Sequence, residues 1–196
     1  ISLSLSQPVA EQAQRVRKIL GISLDQQIRW RSDDTALKVW RSSLESFGVF
    51  VFKAPFKQKD ISGFCLPDPK FPIIYLNNST TKTRQIFSLF HELGHLLLHV
   101  KGLSRFDPEY IDRLPEDMAR LERFCNAFAA EILIPADDFA LQIKSWPFKV
   151  DEIEDFRLEE LALRYGVSRE AILRKFLDQG RVNLQTYQQK VHYWAS

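Results

Sequence analysis

The order of helical and extended patterns along the 196 residues predicts an α+β fold. Apolar residues recur at helical spacing near the N-terminus, three short runs rich in β-branched and aromatic residues follow, and helical periodicity then returns. We expect a small, mostly antiparallel sheet packed against two helices, one of which contains the sequence HELGH. A helical extension at the C-terminus completes the predicted architecture.

The individual elements follow from the same patterns. Strands are predicted where β-rich runs lie between Pro, Gly, Asp and Lys residues, at 48–54, 61–66 and 72–77. Helices are predicted where apolar residues repeat with a period of about 3.6, at 8–20, 34–47, 83–99, 116–134, 136–146, 157–165, 168–179 and 184–193. Residues 101–115, which include two prolines, are predicted to form an irregular connection.

Several helix boundaries have a local cause. Pro8 suits the first turn of the first helix, and Gly21 follows its end. Asp33 is a candidate N-cap of the second helix, which Gly48 ends. Pro135 ends the long helix that precedes it, because proline cannot continue the backbone hydrogen-bond pattern.

The composition is that of an ordinary globular protein, with 45% hydrophobic and 27% charged residues and a net charge of +2. This charge balance is too mild to indicate nucleic-acid binding by itself. Cys65 and Cys125 are too far apart for a C-x-x-C pair and are expected as free thiols in a reducing compartment. Neither a signal peptide pattern nor an apolar run of roughly 20 residues is present, so we expect a cytoplasmic protein without a membrane partner.

The strongest chemical pattern is HELGH, at residues 91–95. On a helix, His91 and His95 lie on one face about 6 Å apart, where two imidazoles can bind one zinc ion. Glu92 lies about 100° round the helix, a position that suits a general base acting on water. The alternative is an apolar helix whose histidines pair with other buried polar groups, because burial without a partner costs several kcal/mol. Gly94 leaves the helix surface bare for a substrate or a neighbouring backbone.

A catalytic zinc centre usually has three protein ligands, so a third ligand must come from elsewhere. His99 would lie about 12 Å from His91 along a straight helix, which is too far to share a metal. Three leucines separate His99 from His95, without the glycine that breaks the helix in three-histidine motifs. We therefore place His99 near the helix end or in the surroundings of the centre.

The run LERFCNAFAAEILIP, residues 121–135, offers a better third ligand. Glu122 can supply a carboxylate oxygen, although Glu116 and Glu131 are competing candidates. Asn126 is one turn after Glu122 and can accept a hydrogen bond from the outer nitrogen of a ligand histidine.

Together with RQIFSLFHELGHLLLH, this run resembles the ImmA/IrrE family of zinc peptidases, over about residues 35–140. The resemblance implies a gluzincin-type peptidase with His91, His95 and Glu122 as zinc ligands and Glu92 as the base. Manganese is the alternative ion for such a centre. Family members are similar in cleaving, or triggering the loss of, a partner repressor in mobile-element, phage or stress-response switches.

We predict a zinc metallopeptidase-like domain at residues 1–150, followed by a helical extension at 151–196. Within the extension, two helices that meet at Gly166 resemble a helix-turn-helix, and Ser168 is a candidate cap of the second. Six basic and four acidic residues between 157 and 181 form only a weak footprint for DNA. We expect a helical pair that packs on the core or docks a partner, with DNA binding as the alternative.

The leading prediction is a zinc-dependent endopeptidase whose substrate is a helix-turn-helix repressor. The alternative is a non-catalytic, zinc-containing regulatory module that binds a repressor or DNA. The presence of Glu92 favours hydrolysis, because zinc binding alone does not require it. Four residues are candidates for stabilising the transition state, and the sequence does not choose among them: Tyr75, Arg84, His99 and Tyr110.

Overall fold

Nine α-helices, four strands and one 3-10 helix form within the described residues of the computed structural model, which are 1–58, 60–105, 108–147 and 154–195. The helices are α1 (Val9–Leu20), α2 (Leu24–Gln27), α3 (Asp33–Ser46), α4 (Lys82–Leu97), α5 (Glu116–Leu133), α6 (Ala136–Gln142), α7 (Asp155–Tyr165), α8 (Arg169–Asp178) and α9 (Leu184–Ala195). The strands are β1 (Phe50–Ala54), β2 (Ile61–Leu66), β3 (Ile73–Asn77) and β4 (Gly102–Arg105), and the 3-10 helix is Pro108–Arg113.

Side-chain caps fix the start of several helices. Ser32, rather than the predicted Asp33, caps α3 by accepting a hydrogen bond from the backbone N–H of Thr35. Thr81 caps α4 in the same way, and Ser168 caps α8 as predicted. Each cap satisfies one of the backbone N–H groups that the first turn of a helix leaves without an intrahelical partner.

The sequence prediction also differs from the structure in three further places. The connection predicted to be irregular contains β4 and the 3-10 helix. The short helix α2 was not predicted, although Ser23 and Gln26 form the reciprocal hydrogen bonds of a capping box around it. The helix α6 ends at Gln142 rather than at residue 146.

The four strands form one mixed sheet in the order β1–β3–β2–β4. Strand β1 is parallel to β3, whereas β2 is antiparallel to both β3 and β4. The predicted α+β class and the mostly antiparallel pairing are therefore confirmed. Because β4 pairs with β2 at the edge of the sheet, Gly102 lies directly opposite Cys65.

The helix α4 is the centre of the fold. It packs against β2, β3 and β4 of the sheet and against α3 and α5. Every residue from Gln85 to Leu97 except Phe87 is buried, and Phe90 meets Trp40 of α3 edge-on, with ring centroids 4.8 Å apart. Polar groups on this helix are therefore removed from water and need partners inside the protein.

The face of the sheet that points away from α4 is aromatic. Tyr75 stacks on Phe64 and Phe52, with ring centroids 5.3 and 5.7 Å apart. Its neighbours in β3, Ile74 and Leu76, are fully buried, because successive side chains of a strand point to opposite faces. This alternation directs the Tyr75 side chain away from α4.

A buried polar network joins the N-terminal helices to the ends of α5 and α7. The Arg17 guanidinium donates to Gln27 Oε1 and to the backbone carbonyl of Ile132. Gln27 Nε2 donates to the backbone carbonyls of Leu133 and Tyr165. These carbonyls belong to the last turns of their helices, which lack intrahelical donors, so the network caps both helices at once.

The C-terminal helices continue the core of the protein. Side chains of α7 and α8, including Leu158, Ile172 and Phe176, belong to the same buried cluster as those of α4 and α5. The predicted boundary between residues 150 and 151 lies outside the described residues, so the division into two domains stays a prediction. Within the described ranges, every helix is too short or too polar to cross a membrane.

Candidate metal centre

Two histidines of α4 face the same point inside the protein. The Nε2 atoms of His91 and His95 lie 3.1 Å apart. Only 3% and 0% of these two residues is exposed to solvent. The four-residue spacing places both side chains on one face of the helix, one turn apart.

The helix α5 brings a carboxylate to this point. Glu122 Oε2 lies 3.1 Å from Nε2 of His91, and Glu122 Oε1 lies 3.3 Å from Nε2 of His95. The close approach of α5 depends on Gly94, because a Cβ there would lie 3.2 Å from Cys125 Sγ. The bare helix surface predicted at Gly94 is thus used for packing of α4 against α5.

The donor set and its spacing fit a metal ion. One ligand atom from each of His91, His95 and Glu122 lies within 4.8 Å of the others, and all three residues are buried. Zinc bonds of about 2.0–2.1 Å in tetrahedral geometry separate two ligand atoms by about 3.3 Å. The observed separations of 3.1, 3.1 and 3.3 Å are close to that value.

Asn126 of α5 fixes the protonation of one imidazole. Its Oδ1 atom lies 2.8 Å from Nδ1 of His91. An amide oxygen can only accept a hydrogen bond, so Nδ1 carries a proton, and Nε2 faces the centre, where it can bind a cation in the neutral form of the imidazole. For Nδ1 of His95, the described residues provide no hydrogen-bond partner.

The charges of the cluster support one another. Burial opposes charge on both His91 and Glu122, but the hydrogen bond between them outweighs it and raises the pKa of His91. In the same way, His91 and His95 hold the pKa of Glu122 well below its usual range despite burial. The Glu122 carboxylate is therefore ionised at neutral pH, the form in which it can bind a cation.

Tyr110, in the 3-10 helix, makes a further contact with the cluster. Its hydroxyl donates a hydrogen bond of 2.6 Å to Glu122 Oε2. Burial and the Glu122 carboxylate raise the pKa of Tyr110, so the hydroxyl keeps its proton.

Glu92, the predicted base, is fully buried between α4 and the sheet. A Cβ on Gly102 would overlap Glu92 Oε2 and would lie 2.6 Å from Cδ2 of His95. On the neighbouring strand, a Cβ on Gly63 would lie 3.6 Å from Cγ of Glu92. Burial and the Glu92 carboxylate raise the pKa of the Cys65 thiol, which is free and protonated. Two glycines and a small thiol therefore make the space that Glu92 occupies.

The two glutamates that competed with Glu122 as the third ligand bind other groups. Glu116 pairs with Arg123 over 3.1 Å, on the surface. Glu131 pairs with Lys175 over 3.0 Å and accepts a hydrogen bond from the backbone N–H of Ala136. Of the three candidates in this region, the structure brings only Glu122 to the histidines.

His99 lies just beyond the end of α4 and is exposed. It has a positive φ of 59°, and its backbone N–H binds the carbonyl of Leu96, while the N–H of Val100 binds the carbonyl of His95. These two bonds form a Schellman motif, which ends the helix. The structure thus places His99 at the helix end, outside the His91, His95 and Glu122 cluster.

Sequence reasoning did not single out Gly102 and left Tyr110 as one of four candidates for another role. Gly102 contacts the centre only because β4 pairs with β2, and the four-residue run GLSR has no alternation that predicts a strand. The 3-10 helix of Tyr110 likewise lacks a periodic pattern of its own. Neither position carried a local signal.

Comparison with known proteins adds an independent observation. The family model described as Peptidase_M78: IrrE N-terminal-like domain matches residues 44–177. A protein of Bacillus phage phi105, named "Uncharacterized immunity region protein 2", is 32% identical over 94 residues. That alignment covers 48% of this chain and 57% of the phage protein, so the chain spans little more than half of the length of that relative.

Proposed function

The chain belongs to the family of the IrrE N-terminal-like peptidase domain, and on this premise we propose that it is a zinc-dependent endopeptidase. His91, His95 and Glu122 hold the ion, Asn126 orients His91, and Glu92 acts as the general base. Manganese is the alternative ion, because a centre of two histidines and one glutamate also suits it.

One observation carries the proposal. The Nε2 atoms of His91 and His95 and the two oxygens of Glu122 converge, with the three contacts between these residues at 3.1–3.3 Å. All three residues are buried. Burial of these nitrogen and oxygen atoms costs free energy unless a cation or protons lie between them. Glu92 lies beside the centre on the same helix, although binding of the ion does not require it.

The chemistry divides between the ion and the protein. An ion held by His91, His95 and Glu122 would supply Lewis acidity toward the scissile carbonyl. Glu92 accepts the proton of the attacking water and passes it to the leaving amine nitrogen. Its burial between α4 and the strands restricts the carboxylate to few orientations, so the base is held in position before the substrate arrives.

We infer that the substrate is a cytoplasmic transcriptional repressor with a helix-turn-helix domain. The family resemblance supports this class of substrate, and the phage relative is named for an immunity region. Proteolysis of such a repressor would act as a switch.

Co-expression with a candidate helix-turn-helix repressor tests the proposal. We expect the wild type to cleave that repressor, and Glu92→Gln to retain the metal but to lose at least about 10²-fold in cleavage rate, the usual scale for a general base. Glu116→Gln, which changes an exposed glutamate on α5, is the matched control and should cleave normally. His91→Ala should lose both metal and cleavage.

The same variants separate hydrolysis from binding alone. A non-catalytic regulatory module would keep its full effect on the repressor in Glu92→Gln and would lose it in His91→Ala. That pattern would overturn the assignment of Glu92 as a base and support the alternative function.

A further inference from the structure

The hydroxyl of Tyr110 points at a residue of the proposed centre from a separate element of the fold. We propose that Tyr110 is a positioning residue, which holds the Glu122 carboxylate in the orientation that faces His91 and His95. This inference rests on the proposed metal-dependent function, and it assigns Tyr110 to metal binding rather than to the chemical step.

The geometry places the hydroxyl on the right atom for this role. Tyr110 donates to Glu122 Oε2 over 2.6 Å, and the same oxygen lies 3.1 Å from Nε2 of His91. The other oxygen, Oε1, lies 3.3 Å from Nε2 of His95. The last torsion of a glutamate side chain is broad and only roughly two-fold, so the carboxylate plane is weakly fixed by the chain itself. A short hydrogen bond to one oxygen fixes that plane.

Stabilisation of the transition state is the competing role for Tyr110. A tyrosine has one O–H donor, and here that donor is directed at Glu122. Donation to an oxyanion of the substrate would require the hydroxyl to leave the carboxylate. The contact present in the structure therefore favours a positioning role.

Tyr110 and Asn126 play similar roles, because each contacts one of the proposed metal ligands. Asn126 contacts the outer nitrogen of His91, and Tyr110 contacts the carboxylate of Glu122. Partners of this kind orient metal ligands, and their loss typically weakens metal binding by about 10- to 100-fold. Asn126 comes from α5 itself, whereas Tyr110 lies twelve residues before Glu122, in the 3-10 helix.

The molecule contains a matched control for this contact. Tyr165 donates to Asp138 Oδ2, also over 2.6 Å, but Arg164 binds both oxygens of that carboxylate. Loss of the Tyr165 hydroxyl should affect stability without affecting metal binding. The two Tyr→Phe substitutions remove the same atom from the same type of hydrogen bond.

The experiment measures zinc affinity of the full chain by competition with a chromogenic chelator, for the wild type, Tyr110→Phe, Tyr165→Phe and Asn126→Ala. We expect Tyr110→Phe and Asn126→Ala to weaken zinc binding by about 10- to 100-fold, and Tyr165→Phe to change it by less than about twofold. The visible spectrum of the Co²⁺-loaded chain should also change in Tyr110→Phe and stay unchanged in Tyr165→Phe. The spectrum reports the geometry of the ligands, which a general loss of stability does not alter.

The outcomes separate this inference from the proposed function. Zinc binding that is equal in the wild type and in Tyr110→Phe overturns the positioning role and leaves the peptidase proposal standing. Weakened zinc binding in Tyr110→Phe, together with a wild type that cleaves no repressor, supports the positioning role and counts against the peptidase. A wild type that binds no zinc overturns both.

Discussion

The carboxylates of Glu122 and Asp138 each accept a hydrogen bond of 2.6 Å from a tyrosine, but they differ in the other groups around them. Asp138 is held by Nε and a terminal nitrogen of Arg164, at 3.1 and 2.8 Å. The guanidinium is charged at every accessible pH and matches the carboxylate with two parallel bonds. Glu122 instead faces the Nε2 atoms of two imidazoles, which carry a positive charge only when protonated.

The Asp138 cluster is therefore complete within the chain, whereas we propose that the Glu122 cluster binds a cation. Around Asp138, the protein supplies donor and charge, and the result ties α6 to α7. Around Glu122, Tyr110 donates one hydrogen bond and the two imidazoles add no permanent charge, so a bound cation would supply the charge that Arg164 supplies to Asp138. Contact distances alone do not distinguish the two clusters, whereas the permanent charge of the partners does.

The largest expected difference between the clusters is their response to zinc. Zinc at a thousand times its dissociation constant should stabilise the wild type by about 4 kcal/mol. Glu122→Ala should lose most of this increment, whereas Asp138→Ala should keep it, although its stability without zinc is lower. Thermal unfolding with and without zinc measures both. An equal increment in the two variants would mean that Glu122 is not a ligand.

Gly102→Ala should be the next most disruptive change. The added Cβ would overlap the Glu92 carboxylate and the His95 ring, so side chains or β4 must shift, at a cost of about 1–3 kcal/mol in the free energy of unfolding. Gly94→Ala is the comparison variant, because its Cβ would also crowd α5, at 3.2 Å from Cys125 Sγ, but without overlap as severe as at Gly102. Denaturant unfolding would show the larger loss for Gly102→Ala. A larger loss in Gly94→Ala would mean that β4 does not restrict the centre.

Asp138→Asn should destabilise the protein by about 2 kcal/mol, because it removes the charge from a hydrogen-bonded ion pair that is mostly buried. Zinc affinity should stay the same. Urea unfolding and zinc titration on one preparation measure the two quantities. A clear loss of zinc affinity would show that the clusters are coupled.

Acidification should gradually remove the contribution of Asp138 to the free energy of unfolding. This effect should be smaller than those of the substitutions above. Burial raises the pKa of this carboxyl, but the bonds from Arg164 and Tyr165 outweigh burial and lower it below its usual value. A carboxyl whose pKa is lowered in the folded state stabilises the protein fully above the unfolded pKa of about 3.9. This stabilisation is lost as the pH falls through the folded pKa. The stability difference between wild type and Asp138→Asn should therefore be constant from pH 7 to 5 and should shrink below pH 4. A difference that grew on acidification would contradict the assigned shift.

The parts of the fold and centre that sequence could predict were those with local periodicity. The helix of His91 and His95 and the helix of Glu122 follow from apolar spacing, and the four-residue intervals put the polar groups on single faces. Spacing left Glu116 and Glu131 as competitors of Glu122, because no local pattern determines how α5 rotates against α4. The family resemblance implied Glu122. The contact with Gly102 arises from pairing between strands far apart in the sequence. The capping box at Ser23 is different, since its pattern was present in the sequence and could have predicted α2.

The metal content of the purified chain tests the central claim most directly. We expect about one equivalent of zinc per chain in the wild type, in Glu92→Gln and in Asp138→Asn, because these retain all three proposed ligands of the centre. His91→Ala and Glu122→Ala should contain less than about a tenth of that amount at equal concentrations of free zinc. A wild type without stoichiometric metal, or a His91→Ala variant that retains it, would contradict the account of this cluster as a metal centre.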